Sequence, residues 1–513
     1  MAKYLMVQGT GSHVGKSVLV AALCRIFRRA GCAVAPFKAQ NMALNSFVTA
    51  SGEEIAWAQV VQSWAAGLEP EVDMNPVLLK PTGNSTSQVV LRGRPVGNIG
   101  AEGYYRGFNR SLLPVVEESL RRLSQKYEVV IIEGAGSPAE VNLKDEEIAN
   151  MRVAKMVRAP VLLVADIDRG GALAAIVGTL ELLEPEERDL VVGLVINKFR
   201  GNRELLSPAL EFLERKTSKP VLGVIPYLED LGLPEEDSVA LEDRSPGREG
   251  PEALDIAVVR LPRISNFTDF DPIKREAGVR LRFVSGGEPL GTPDLVILPG
   301  SKNTIEDLLF LEETGKAREI AQLASQGVPV IGICGGFQML GREVRDPEGV
   351  EARVEAARGL GLLKVATVMR PEKATYQCEA EVIGHGPLLE SCRGEKIRGY
   401  EIHMGETVRH PGVPSVLRIT RRGGREVLLE DGAVNETGTV FGTYLHGLFD
   451  NDGFRRALVN ALRRRKGLTP ISGAYRYRED VERRMDSLAD AVASSLDLGI
   501  LAKLVGLDRP LAP

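Results

Sequence analysis

Two stretches combine residue types and spacings that do chemistry. The first is Gly9-Thr10-Gly11-Ser12-His13-Val14-Gly15-Lys16-Ser17. It follows an apolar run, Tyr4 to Val7, and precedes Val18 to Arg29, where apolar residues recur at helical spacing. A glycine-rich turn from strand to helix that ends Gly-Lys-Ser cradles phosphates. Backbone N–H groups and the helix N-terminus face the anion, Lys16 reaches its terminal groups, and the Ser17 hydroxyl ligates magnesium. Gly11, Gly15, Lys16 and Ser17 are therefore the candidate nucleotide contacts. The match departs from the usual pattern in one place: Thr10 stands where the first glycine is expected, and Gly9 lies one residue further out.

The second stretch is Val328 to Gln338, in which an apolar run turns through Gly332-Ile333-Cys334-Gly335-Gly336 into a helix. Glycines on both sides let the backbone form a strained elbow that projects the thiol. A helix N-terminus favours the thiolate, and N–H groups of Gly335, with Gly300 after the strand Asp294 to Leu298, are candidates for an oxyanion hole. A nucleophilic cysteine needs a base. His385 and His410 sit among Gly and Pro and read as loop residues. His446, in Gly442-Thr443-Tyr444-Leu445-His446-Gly447, follows an apolar strand and is preferred over His403, which reads as structural or substrate-binding.

The elements that must position these groups are legible as alternating strands and helices, which imply a parallel, doubly wound α/β sheet. Ala33 to Phe37 reads as a strand running into a polar loop, where Lys38, Gln40, Asn41 and Asn45 suit a polar substrate. Glu54, near the next helix start, either ligates magnesium or complements the helix dipole. Met74 to Pro81 reads as a strand leading into a polar run, Thr82 to Gln88. Val129 to Ile132 ends at Glu133, the place of the acidic magnesium partner in phosphate-loop enzymes. Leu190 to Ile196 ends at Asn197-Lys198, placed for phosphate or base contacts, but Arg200 stands where guanine recognition would need an acid.

Leu233 to Pro251 is rich in Glu, Asp, Pro, Gly and Ser and reads as a linker. The expected organisation is a synthetase domain over 1–232, a linker over 233–252, a second α/β domain over 253–455, and a helical extension over 456–513. That extension either caps the second domain or builds a subunit contact, which leaves homo-oligomerisation open. The chain has 513 residues, 44% hydrophobic and 26% charged, with net charge −5 and five scattered cysteines. This composition describes a globular protein without the basic signature of nucleic-acid binding, a disulfide framework or a bilayer-spanning run. A cytoplasmic location is expected.

The N-terminal motif, as GTxxxxGK[ST], resembles the dethiobiotin synthetase group, which uses ATP to activate a carboxylate. The Cys334 elbow resembles the class I glutamine amidotransferases, whose usual Glu two residues after the histidine is Leu448 here. FKAQNMALNS (Phe37 to Ser46), MNPVLLKP (Met74 to Pro81), EGAGSPAE (Glu133 to Glu140), GYEIHMG (Gly399 to Gly405) and GTYLHGLFD (Gly442 to Asp450) together resemble the cobyric acid synthases, the CobQ type of the CobB/CobQ family. The resemblance implies a dethiobiotin synthetase-like P-loop domain joined to a class I glutamine amidotransferase domain. It implies ATP, magnesium and glutamine, with amidation of the b, d, e and g carboxylates of adenosylcobyrinic acid a,c-diamide. Cys334 would attack glutamine and His446 would protonate the departing ammonia, while Ser17 and Glu133 would hold magnesium. Rival readings are an amidating enzyme acting on the a and c carboxylates or on a cell-wall precursor, and a P-loop switch ATPase with a non-catalytic second domain.

Overall fold

The computed structural model describes residues 2–83, 86–100, 103, 107–234, 253–473 and 475–511. Most of the expected linker, and two residues of the polar run after Pro81, lie outside them. The chain forms two compact units. The first comprises 1–43, 55–234 and 479–513, and the second 44–54 and 235–478.

The first unit is built on a six-stranded sheet whose neighbours all run parallel, in the order Val221–Pro226, Val191–Phe199, Val161–Asp166, Lys3–Gly9, Val129–Glu133, Val34–Phe37. Strands covered on both faces read as unbroken apolar runs, and Leu5, Met6, Val7 and Val129 to Ile132 are all fully buried. Strand Lys3–Gly9 lies between two strands that follow it in sequence, so the turn after it opens at a switch point of the sheet, where open α/β folds bind ligands. The helix after that turn, Lys16–Arg29, carries Arg28 and Arg29 in its last turn, where cations suit the dipole. Strands Gln40–Met42, Val77–Pro81, Thr86–Leu91 and Arg94–Gly100 form a smaller mixed sheet.

The second unit has its own six-stranded sheet, ordered Val279–Val284, Leu254–Val259, Leu295–Leu298, Val330–Ile333, Val440–Thr443, Ala433–Val434. Only its last pair is antiparallel. Two long antiparallel strands, Val365–Val382 and Lys396–Arg409, anchor a further sheet beside it.

The boundaries differ from contiguous domains in two places. Residues 44–54 belong with the second unit, although the chain around them belongs to the first. The C-terminal extension divides. Helix Asp452–Arg465 stays with the second unit, where Arg455 is buried against Glu276 at 2.9 Å. Residues 479–511 join the first unit. Their acids meet the basic end of helix Lys16–Arg29, with Asp486 at 2.7 Å from both Arg25 and Arg29, and Leu496 bridges to Gly223. Among the described residues, no helix is long and apolar enough to cross a membrane.

Candidate functional site

The phosphate loop is shaped by Gly15, whose φ of 99° lies in the left-handed region. A β-carbon there would fall 2.1 Å from the Asn197 amide nitrogen, so only glycine fits. Asn197 uses that amide to donate to Val14 O at 2.8 Å. Lys198 donates to His13 O and to Asp166 Oδ2, each at 2.8 Å. The Asn-Lys pair expected to meet a base or phosphate thus clamps the backbone of the loop itself.

Lys16 Nζ donates to Gly11 O at 2.7 Å and Gly136 O at 2.9 Å. Ser17 Oγ donates to Glu133 Oε1 at 2.7 Å. Glu133, 1% exposed, also accepts from Lys38 Nζ at 2.8 Å and, on its other oxygen, from Gln62 Nε2 at 2.5 Å. Burial alone would raise its pKa, but the Lys38 charge and the three hydrogen bonds outweigh burial and hold it below the ordinary carboxylate value. Ser17 and Glu133 therefore bring two hard oxygen donors together, one of them anionic, which is the donor chemistry magnesium takes.

Lys38 spends its charge on Glu133, and Asn41 donates to Gln59 Oε1 at 3.1 Å. Both lie in the first unit with Gln40, whereas Asn45 and Glu54 fold with the second. Glu54 there accepts from Ser46 Oγ at 2.8 Å and pairs with Lys373.

Burial, reinforced by Lys38 and opposed by Glu133, lowers the Lys16 pKa to about 8. A phosphate ligand needs the ammonium form, so above that pH binding must take up a proton. The apparent Kd for ATP is expected to weaken toward ~10-fold per pH unit above about 8. Titration calorimetry in buffers of different ionisation enthalpy would read both the affinity and the proton; a flat profile to pH 9.5 would refute the shift.

The second candidate centre lies in the second unit. Cys334 sits at the elbow between strand Val330–Ile333 and helix Gly335–Leu340, with φ 52° and ψ −110°. A β-carbon at Gly336 would strike Leu298 O at 2.0 Å, so the helix starts hard against the neighbouring strand. Gln338 locks the helix: its side chain accepts from Thr304 Oγ1 at 2.7 Å and donates to Met404 O at 2.9 Å. Cys334 N donates to Thr443 O at 2.8 Å, and its Sγ faces Ile402 O at 3.7 Å.

His446 is 1% exposed, and its Nδ1–H donates to Asp269 Oδ2 at 2.6 Å. The other Asp269 oxygen accepts from Gly447 N at 3.0 Å. Burial would lower the His446 pKa, but the Asp269 charge and the Cys334 sulfur override it and raise it to about 10. The imidazolium is thus favoured beside the thiol across neutral pH. His403 goes the other way: burial first, then Arg422, lowers it to about 3. It stacks on Tyr444 with centroids 3.7 Å apart and directs Nδ1 at Gly405 O, 3.2 Å away. His403 is thus held neutral with its ring stacked and its Nδ1 turned to the backbone, whereas His446 is held protonated beside Cys334. His410 is exposed on its loop, directing Nδ1 at Pro411 O.

Gly300 and Gly335 meet at the same place. A β-carbon on Gly300 would lie 3.3 Å from His446 Cε1, and one on Gly335 would lie 2.8 Å from Ser301 N. Short strands Gly300–Ser301 and Ile264–Ser265 pair to hold this edge.

Asp269 escaped the sequence reading. It sits in the 3₁₀ turn Phe267–Phe270, 177 residues before His446, and supplies the orientation that Leu448 does not. The only sequence signal was an acid in a loop after the first strand of the domain. Asp269→Asn keeps the shape and removes the charge that holds His446 protonated and oriented. Glutamine hydrolysis is expected to fall by roughly 10²–10⁴-fold. Steady-state glutaminase assays check this; a loss below tenfold would remove Asp269 from the site.

Residues 5–239 match the CobQ/CobB/MinD/ParA nucleotide binding domain, and residues 255–454 match the CobB/CobQ-like glutamine amidotransferase domain. Among curated proteins, cobyric acid synthase of Moorella thermoacetica is 58% identical over 100% of this chain and 99% of its own. That of Pelotomaculum thermopropionicum is 59% identical over 100% and 98%, and that of Desulforamulus reducens 52% identical over 99% of each. With likeness at this level from end to end, the chain belongs to the cobyric acid synthase family.

Proposed function

We propose that the enzyme amidates the b, d, e and g carboxylates of adenosylcobyrinic acid a,c-diamide, using ATP and glutamine, to give adenosylcobyric acid in cobalamin biosynthesis. The observation that carries this reading is the full-length identity to curated cobyric acid synthases. The two candidate centres supply the chemistry it needs.

A carboxylate is a poor electrophile, so ATP phosphorylates it first. Lys16 and the N–H groups of the loop neutralise the transferring phosphoryl group. Magnesium, when bound by Ser17 and Glu133, adds charge neutralisation at the phosphates. Lys38, Gln40 and Asn41 are the proposed contacts to the corrinoid. In the second unit the Cys334 thiolate attacks the side-chain amide of glutamine. Gly300 and Gly335 N–H groups receive the oxyanion. His446 then gives its proton to the leaving nitrogen, releasing ammonia and a γ-glutamyl thioester, which water cleaves to glutamate. Ammonia displaces phosphate from the activated carboxylate to form the amide. Four such cycles complete the product.

Mass spectrometry of adenosylcobyrinic acid a,c-diamide incubated with enzyme, Mg-ATP and amide-¹⁵N-glutamine tests the reading. Stepwise gain of up to four labelled amides is expected. Hydrolysis of glutamine with no change in the corrinoid would discard this acceptor and keep the amidotransferase chemistry.

A further inference from the structure

Residues 44–54 fold with the second unit, and there they touch the parts that hold His446. Asn45 Oδ1 accepts from Phe267 N at 3.2 Å. Ser46 and Asn266 exchange two hydrogen bonds: Ser46 N donates to Asn266 Oδ1 at 3.1 Å, and Asn266 Nδ2 donates to Ser46 O at 3.0 Å. Asn266 Nδ2 also lies 3.1 Å from the Tyr400 hydroxyl oxygen. Phe47 meets the Tyr400 ring edge-on, with centroids 4.8 Å apart.

These contacts converge on the seat of His446. Asn266, at φ 52°, opens the turn that carries Asp269. Tyr400 stacks on the His446 ring at 5.3 Å and exchanges two backbone hydrogen bonds with it, at 3.1 and 2.9 Å. Asn45 and Ser46 are fully buried, and Asn266 nearly so. Buried amides are costly unless matched, so side chains placed this way act as fixed struts.

We propose that Asn45 and Asn266 are positioning residues for glutamine hydrolysis, fixing the Asp269 turn and the Tyr400 ring between which His446 is held. The proposal rests on His446 as the proton donor to the leaving ammonia. Asn45 thereby serves the glutaminase centre, although its polar loop begins in the first unit. Without its amide, Phe267 N–H loses its partner, the turn relaxes, and the Asp269–His446 bond loses alignment. Small misplacement of a catalytic group costs up to ~10²-fold, so the effect belongs in kcat.

The test compares Asn45→Ala, Asn45→Asp and Asn266→Asp in the full chain. Asp at 45 keeps the acceptor oxygen for Phe267. Asp at 266 keeps the acceptor for Ser46 but loses both donated bonds. For Asn45→Ala and Asn266→Asp, kcat for glutamine hydrolysis is expected to fall on the order of 10-fold, with glutamine KM within about twofold. Amidation supplied by ammonium chloride should stay within about twofold for Asn266→Asp, and Asn45→Asp should recover most of the glutamine rate. An equal loss with ammonium, a rise in glutamine KM alone, or unchanged rates would each overturn the proposal. If Asn45→Ala fails to fold, the isosteric Asn266→Asp decides on the same criteria. Cys334→Ala is assayed alongside. Hydrolysis surviving in it would refute the assignment of the centre itself, whereas an inert Cys334→Ala beside a fully active Asn45→Ala would refute only the positioning role.

Discussion

Cys334→Ala is expected to lower amidation from glutamine by at least ~10³-fold while leaving amidation from ammonium chloride close to that of the parent. The elbow exists to present one sulfur. Its φ of 52° is a conformation that side chains rarely adopt, and the strand, the close-set glycines and Gln338 hold it there. Alanine at the same φ carries similar backbone strain and loses only a small buried group, so the fold should survive. No second thiol can substitute: Cys378 and Cys392 are buried in the same unit, and burial pushes the Cys392 thiol up to about 12 and Cys378 higher still. His446 and Asp269 remain, but with no nucleophile they have nothing to protonate. The measurement is parallel: glutamate release, and amide formation with ammonium at a pH where free ammonia is plentiful. Glutamine-dependent turnover above a tenth of the parent's would rule out Cys334 as the nucleophile. Equal loss with both nitrogen sources would mean that the substitution damages the whole chain.

The fold was readable because its determinants are local. Strands covered on both faces are unbroken apolar runs, and the helices between them keep their period, so Tyr4 to Val7, Val129 to Ile132 and Val328 to Ile333 announce a parallel sheet without any long-range information. The two turns are equally local, since glycine is required where the backbone turns left-handed or presses against a strand, as at Gly15 and Gly336. Partners of polar side chains are set by tertiary structure and left no such pattern. Asp269 reaches His446 across 177 residues. Asn197 and Lys198 sit at a strand end as expected, yet they donate to the phosphate-loop backbone, and Lys198 to Asp166 as well. Lys373 as a partner of Glu54 is invisible in the sequence, and only the fold brings the two together. The passage of residues 44–54 into the second unit is likewise silent, because an Asn-Ser pair in a polar loop has the same composition whether it meets a ligand or Asn266.

Glu133→Gln is expected to cut amidation on the order of 10³-fold with glutamine and with ammonium alike, and to leave glutamine hydrolysis intact. Here the substitution changes charge and almost no volume. Glu133 is the point on which Ser17, Lys38 and Gln62 converge. Glutamine at 133 still accepts from Ser17, but it removes the anion that would share a metal with that hydroxyl. It also leaves the Lys38 ammonium buried without its counter-charge, and breaking a buried pair from one side costs roughly 3–5 kcal/mol. Lys38→Met added to Glu133→Gln should return much of that stability and none of the activity, which separates the ion pair from the chemistry. The pH dependence has a definite sign. Glu133 is held below its ordinary value of 4.5, so its stabilisation is complete above that pH and is lost as pH falls through the lower folded value. The Gln variant should therefore lose stability at pH 7 relative to the parent, and the difference should shrink on acidification below about 4.5. Thermal melts across pH, with ATP-dependent amidation and glutaminase rates measured on the same preparations, test all three statements. If the variant amidates within tenfold of the parent at saturating magnesium, Glu133 acts only as the partner of Lys38, and another carboxylate must be sought for the metal.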